Sequence, residues 1–143
     1  MHLSLNHFSI RSADLDACRR FYGDVLGLVL GPRPEFPFPG QWFYAGDTAF
    51  TANAVVHIIG IDAQDTEGLK AYLGERGAAD LPGTGVVDHV AFAATGLAEM
   101  RRRLQRLGLS ARERNVPGLG LQQMFLTDPN GVVIELNYPA TEA

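Results

Sequence analysis

The feature that most constrains this chain is a register it keeps with itself. His7 and His89 lie 82 residues apart, Leu15 and Leu97 lie 82 apart, and Gly27 and Gly108 lie 81 apart. Between these anchors the same pattern runs twice: a strand, a helix with apolar residues at i, i+3, i+7 and i+10, a glycine stop, then three strands. An offset held over so many positions is an internal duplication. At 143 residues the chain has room for one domain built of two such halves, not for two independent cores. The expected fold is α+β: two βαβββ modules, 1–60 and 86–139, joined by a connector over 61–85.

In the first module, residues 3–10 alternate as a strand. Ser12 or Asp14 then caps a helix to about Val25, whose apolar stripe is Leu15, Cys18, Tyr22 and Val25. Strands follow at 28–30, 41–45 and 54–59, with a proline-rich loop over 31–40 that cannot donate to a ladder. The connector holds a short helical stretch at 66–73. The second module repeats the order: a strand over 86–93, a helix carrying Leu97, Met100, Leu104 and Leu107, and strands at 110–113, 122–127 and 132–137. Its last two strands flank Asp128-Pro129-Asn130-Gly131, a turn in which Pro129 presets φ while Asn130 and Gly131 tolerate the left-handed region.

Glu135 stands inside the otherwise apolar strand Val132-Val133-Ile134-Glu135-Leu136, where a lone charge costs several kcal/mol unless it is paired or bound to a cation. Overlaying the halves supplies its partners. His7 matches His89 on the opening strands, and His57 matches Glu135 on the closing strands. By the strand period of two, Phe8, Ile10, Val56, Ile58, Val90, Phe92, Ile134 and Leu136 point the opposite way from these four. With helices over the apolar faces, the other faces carry three imidazoles and one carboxylate. A single strand histidine is more often a hydrogen-bonded core residue than a ligand. Four ionisable residues at duplicated positions instead predict a metal shell of His7, His57, His89 and Glu135. Nitrogen and oxygen donors suit Zn, Ni, Co, Mn or Fe(II), and no thiolate is present to select a softer ion.

The remaining composition narrows the class. Twelve basic and sixteen acidic residues give a net charge of −4, which argues against nucleic acid or an anionic membrane as partner. No apolar run approaches the roughly 20 residues of a membrane span, and the first ten residues lack the layout of a signal peptide, so the cytoplasm is expected. Cys18, the one cysteine, reads as a small buried hydrophobe, and Arg101-Arg102-Arg103 with Arg106 as a solvated helix face. Arg33, Phe36, Phe38, Trp42 and Tyr44 are candidates for the rim of a cup that suits an aromatic or carboxylated ligand, with Arg112, Arg114, Gln122 and Gln123 as counterparts in the second half.

The segments Asn6-His7-Phe8, Phe21-Tyr22, Val25-Leu26-Gly27-Leu28, Asp88-His89-Val90-Ala91-Phe92, Asp128-Pro129-Asn130-Gly131 and Ile134-Glu135-Leu136 resemble the vicinal oxygen chelate superfamily. That superfamily includes lactoylglutathione lyase (glyoxalase), methylmalonyl-CoA epimerase, extradiol dioxygenases and bleomycin or fosfomycin resistance proteins. The resemblance implies a glyoxalase-like fold, an incomplete barrel around a metal site, and a homodimer acting on a small molecule. It places His7, His57, His89 and Glu135 at the family's four metal positions, with Glu135 and His57 as candidates for moving a proton. Position 57 departs from the pattern: lactoylglutathione lyases carry glutamate there, and the epimerases glutamine. The activities it implies are a metal-dependent isomerase or lyase on an enolisable carbonyl compound, an extradiol-type ring cleavage in which His57 stays off the metal, or drug binding without chemistry.

Overall fold

A computed structural model describes residues 1, 5–73, 83, 87, 89–116 and 119–143. The chain divides into two compact units, Met1–Leu81 and Pro82–Ala143. Each holds one four-stranded mixed sheet, and among the described residues neither sheet closes on itself.

In the first unit, β1 (Phe8–Ser12) leads into α1 (Leu15–Cys18), which continues as a π-helical stretch over Arg19–Val25. Asp14 caps the helix, its carboxylate accepting from the Ala17 N–H at 2.8 Å, while Ser12 belongs to the strand end. The wider π turn brings Phe21 into the buried set alongside Cys18, Tyr22 and Val25, and the Tyr22 and Phe43 rings meet at 5.6 Å. Gly27, at φ +77°, lets the chain reverse into β2 (Val29–Gly31), followed by β3 (Gly40–Tyr44) and β4 (Ala54–Gly60). The sheet order is β1-β4-β3-β2, with β1 parallel to β4. The first strand thus starts at Phe8, so His7 lies just before it and not within it. Residues 3 and 4 of the expected strand, and His2 ahead of it, lie outside the described residues.

The expected connector contributes to the first unit's core. Its helix α2 (Glu67–Leu73) buries Leu69 in a cluster with Phe38 and Ile61, against which Phe36 and Ile59 pack. Gly68 permits this docking, because a Cβ there would come within 1.7 Å of the Pro37 carbonyl oxygen. The helix thereby holds down the proline-rich loop that the sequence leaves unsupported.

In the second unit, β5 (Val90–Ala93), α3 (Leu97–Leu107), β6 (Arg112–Val116), β7 (Leu121–Thr127) and β8 (Val133–Pro139) form the order β5-β8-β7-β6, again with the first and last strands parallel. Residues 86 and 88 of the expected opening strand lie outside the described residues. Helix α3 buries Leu97, Met100 and Leu104 but leaves Leu107 exposed, because Gly108 at φ +66° ends the helix there. Its first N–H groups, those of Gly96 and Leu97, are capped by the carboxylate of Glu142 from a 3₁₀ turn after β8, at 2.7 and 2.8 Å. Among the described residues, no helix is long and apolar enough to cross a membrane.

The duplication extends to the strand register. Ser9, two residues after His7, faces His57 across β1 and β4; Ala91, two residues after His89, faces Glu135 across β5 and β8.

Candidate metal centre

The structure brings the four ionisable residues together as two pairs, one in each unit. In the second unit Glu135 is buried, with 5% of its surface exposed, and its Oε2 lies 3.4 Å from His89 Nε2. Its other oxygen, Oε1, accepts from Gln123 Nε2 at 2.9 Å and from Asn137 Nδ2 at 2.7 Å. Both amides follow from pleat and register. Asn137 is two residues along β8 and so shares the face of Glu135, while Gln123 sits opposite Asn137 on β7. Gln123 Nε2 also donates to Asn137 Oδ1 at 3.0 Å, which closes a ring of three side chains. Arg114, opposite Gln123 on edge strand β6, donates to Gln123 Oε1 through Nε at 2.9 Å and through Nη2. The guanidinium groups of Arg112 and Arg114 lie 4.2 and 5.2 Å from the centre of the Phe125 ring, on the partner strand position of Glu135.

In the first unit the imidazoles stack. The His57 ring lies between His7 and Trp42, with centroids 3.9 Å away on each side and interplanar angles of 22° and 5°. Trp42 faces His57 across β3 and β4, on the face opposite Val56 and Ile58. Within the stack His57 Nε2 is buried without a hydrogen-bond partner, and the ring bonds to the Ala54 backbone. Burial and the neighbouring His7 outweigh that bond and push the His57 pKa down to about 4, so the ring is neutral at physiological pH. His7 Nδ1 lies 2.6 Å from Asn6 Oδ1, an acceptor, which leaves the His7 Nε2 lone pair available.

The first unit also contains a cavity of about 280 Å³ bordered by Arg33, Phe36, Phe38, Trp42 and the two histidines. Arg33 donates to the Phe38 carbonyl at 3.1 Å and lies 5.0 Å from the Phe36 ring centre. Tyr44, expected at the rim, is core: a bulge between Phe43 and Tyr44 changes the pairing, and the buried Tyr44 hydroxyl donates to the Pro32 carbonyl at 2.6 Å.

The residues of the second unit fit a divalent cation: a buried carboxylate has one oxygen engaged by amides and the other turned to an imidazole. Within either unit, the described residues add no third His, Cys, Asp or Glu to the pair. The first-unit pair fits through one imidazole at a time. Ring planes tilted by 22° at a 3.9 Å spacing converge only on the order of 10 Å away, whereas a bound ion such as zinc sits about 2.0–2.1 Å from its nitrogen, in the ring plane. Asn137 is the participant that the residue pattern did not single out; its position two residues from Glu135 was the available signal.

The sequence matches the Glyoxalase/Bleomycin resistance protein/Dioxygenase superfamily over residues 4–136, and the chain belongs to that superfamily. Solved structures share the glyoxalase-like fold over nearly the whole chain. A glyoxalase family protein from Bacillus anthracis is 20% identical, with a TM-score of 0.68 and 97% of each chain covered. Lactoylglutathione lyase from Agrobacterium tumefaciens is 22% identical, with a TM-score of 0.62, 96% of this chain and 95% of that one covered. A mutant of the fosfomycin resistance protein FosX from Listeria monocytogenes, complexed with Mn(II) and 1S,2S-dihydroxypropylphosphonic acid, is 16% identical, with a TM-score of 0.65, 99% of this chain and 96% of that one covered. No curated protein matches the chain.

Proposed function

We propose that this protein is a divalent-metal-dependent isomerase or lyase acting on a small enolisable carbonyl compound that offers two vicinal oxygens. The observation that carries this reading is the environment of Glu135, a buried carboxylate whose Oε2 is turned to an imidazole while its Oε1 is held by two amides. The ligands in this reading are His89 and Glu135 from the second module and His7 from the first; the pairing of modules rests on the sequence duplication. His57 serves as a fourth ligand only by leaving its stack. A divalent ion here supplies Lewis-acid stabilisation of negative charge developing on the substrate oxygens. Glu135, once it ligates, is not free to act as a base, and proton transfer falls to His57. Nδ1 of that ring is tied to the Ala54 backbone, so Nε2 would be the atom that accepts a proton from the substrate carbon, and it must first be uncovered, because the stack buries it and holds the ring's pKa at about 4. The working form is a homodimer in the cytoplasm, to be checked by sedimentation and fractionation. The Mn(II) in the FosX complex supports the choice of a hard divalent ion.

The test is cation binding by calorimetry, followed by deuterium incorporation into hydroxycarbonyl compounds in D2O. Wild-type protein should bind about one ion per ligand set, His89→Ala and Glu135→Ala should not, and His57→Ala should bind the ion but lose exchange. Wild-type protein that binds no divalent cation refutes the reading.

The stack favours a second reading, extradiol-type ring cleavage. With His57 held against Trp42, the set His7, His89 and Glu135 is a two-histidine-one-carboxylate arrangement of the kind that binds Fe(II) in oxygenases. Oxygen uptake by Fe(II)-loaded protein with catechols would select this reading over the first.

A further inference from the structure

The geometry points to Gln123, Asn137 and Arg114 as a positioning relay that fixes which oxygen of Glu135 is offered to the cation, an inference that rests on the metal reading above. An arginine has donors only, so Arg114 can meet only the Oε1 end of the Gln123 amide. That contact sets the amide orientation and sends Gln123 Nε2 towards Glu135 and Asn137. Asn137 is oriented in turn: its Oδ1 accepts from Gln123, so its Nδ2 must face Glu135. Both amides therefore converge on Oε1, and Oε2 alone faces His89.

Every donor and acceptor in the ring has one assignment, and reversing either amide would set carbonyl oxygen against carboxylate oxygen. The relay thus begins at an exposed arginine on an edge strand and ends on a buried ligand atom. Apolar residues at 123 and 137 would leave the carboxylate free to rotate about its last torsion and to present either oxygen. Outer partners of this kind typically change metal affinity by 10–100-fold.

The experiment measures Mn²⁺ affinity, from the EPR signal of the free ion, and the visible spectrum of the Co²⁺-loaded protein, for the wild type, Gln123→Met, Asn137→Leu, Arg114→Ala and the Arg114→Ala/Gln123→Met double variant. Gln123→Met and Asn137→Leu should each weaken Mn²⁺ binding by about 10–100-fold and shift the Co²⁺ bands. Arg114→Ala, a surface change that leaves folding intact, should weaken binding less. It should add nothing further in the Gln123→Met background, because it acts only through that amide. Losses from Arg114 and Gln123 that add, or variants that bind Mn²⁺ as the wild type does, overturn the relay while leaving the metal site standing. A wild type that binds no ion overturns both. If Gln123→Met fails to fold, Arg114→Ala alone decides: unchanged affinity and an unchanged Co²⁺ spectrum refute the relay.

Discussion

Replacing Glu135 by glutamine separates the carboxylate's role in the fold from its role towards a cation. The substitution keeps the oxygen that accepts from Gln123 and Asn137 and removes the buried charge. Two hydrogen bonds from amides to a charged acceptor contribute about 1.5–3 kcal/mol each, and burying the carboxylate costs several kcal/mol, so the two nearly cancel without metal. The metal-free variant should therefore unfold within about 2 kcal/mol of the wild type. With Mn²⁺ at about a hundred times its dissociation constant, the wild type should gain about 2.7 kcal/mol. For a chain of this length that raises Tm by roughly 8–11 °C. Glu135→Gln should show no such rise. Scanning calorimetry of both proteins, with chelator and with Mn²⁺, reads all four values. A variant that rises with Mn²⁺ as the wild type does would show that Glu135 is not a ligand. A metal-free variant destabilised by more than about 3 kcal/mol would show that the carboxylate anchors the amide ring as structure.

The Arg101–Glu113 pair, bidentate at 3.0 and 2.6 Å between α3 and β6, holds the Glu113 carboxyl below its ordinary value of 4.5. Its stabilisation is present above that value and is lost as pH falls through the lower folded-state pKa, so the gap between wild type and Arg101→Ala in urea unfolding should be about 0.5–1 kcal/mol at pH 7 and should shrink as the pH is lowered below the ordinary value; a gap that does not shrink with acidification would refute the assignment. Glu142→Ala should cost about 1 kcal/mol by uncapping α3, with faster hydrogen exchange at the Gly96 and Leu97 amides. Gly68→Ala should cost about 1–3 kcal/mol, since the new Cβ meets the Pro37 backbone. It should also shift the fluorescence of Trp42, the one tryptophan, as the loop carrying Phe36 and Phe38 moves; unchanged stability and emission would contradict this docking.

The parts of the fold that follow from backbone chirality and pleat were legible in the residues. Gly27 and Gly108 end their helices because each takes a positive φ, and the equal offset of the histidines carries through to equal strand register. The partners of Glu135 were within reach too. The Asp128-Pro129-Asn130-Gly131 turn closes with the Asp128 N–H donating to the Val132 carbonyl, and counting back along both strands puts Phe125 opposite Glu135 and Gln123 opposite Asn137. The π stretch and the β3 bulge were not legible. Each adds or displaces one residue without changing the apolar pattern, and so Phe21 joined the core and Tyr44 turned inward. The stacking of His57 on Trp42 needed the β3–β4 register, which that bulge sets.

The two modules hold one register yet surround their closing-strand residue differently, and the difference bears on charge. His57 is a neutral ring between two aromatic faces, whereas Glu135 is a carboxylate inside an amide ring. A divalent ion bound by neutral imidazoles and this single carboxylate would keep a net charge of about +1, where a second carboxylate at position 57 would cancel it. Residual positive charge beside the buried Glu135 carboxylate would favour a substrate whose vicinal oxygens carry or develop negative charge. Glutamate at position 57 should therefore tighten cation binding while weakening the binding of an anionic chelating substrate. Opposite shifts of the two constants in His57→Glu would mark position 57 as setting the charge of the site, and parallel shifts would refute it.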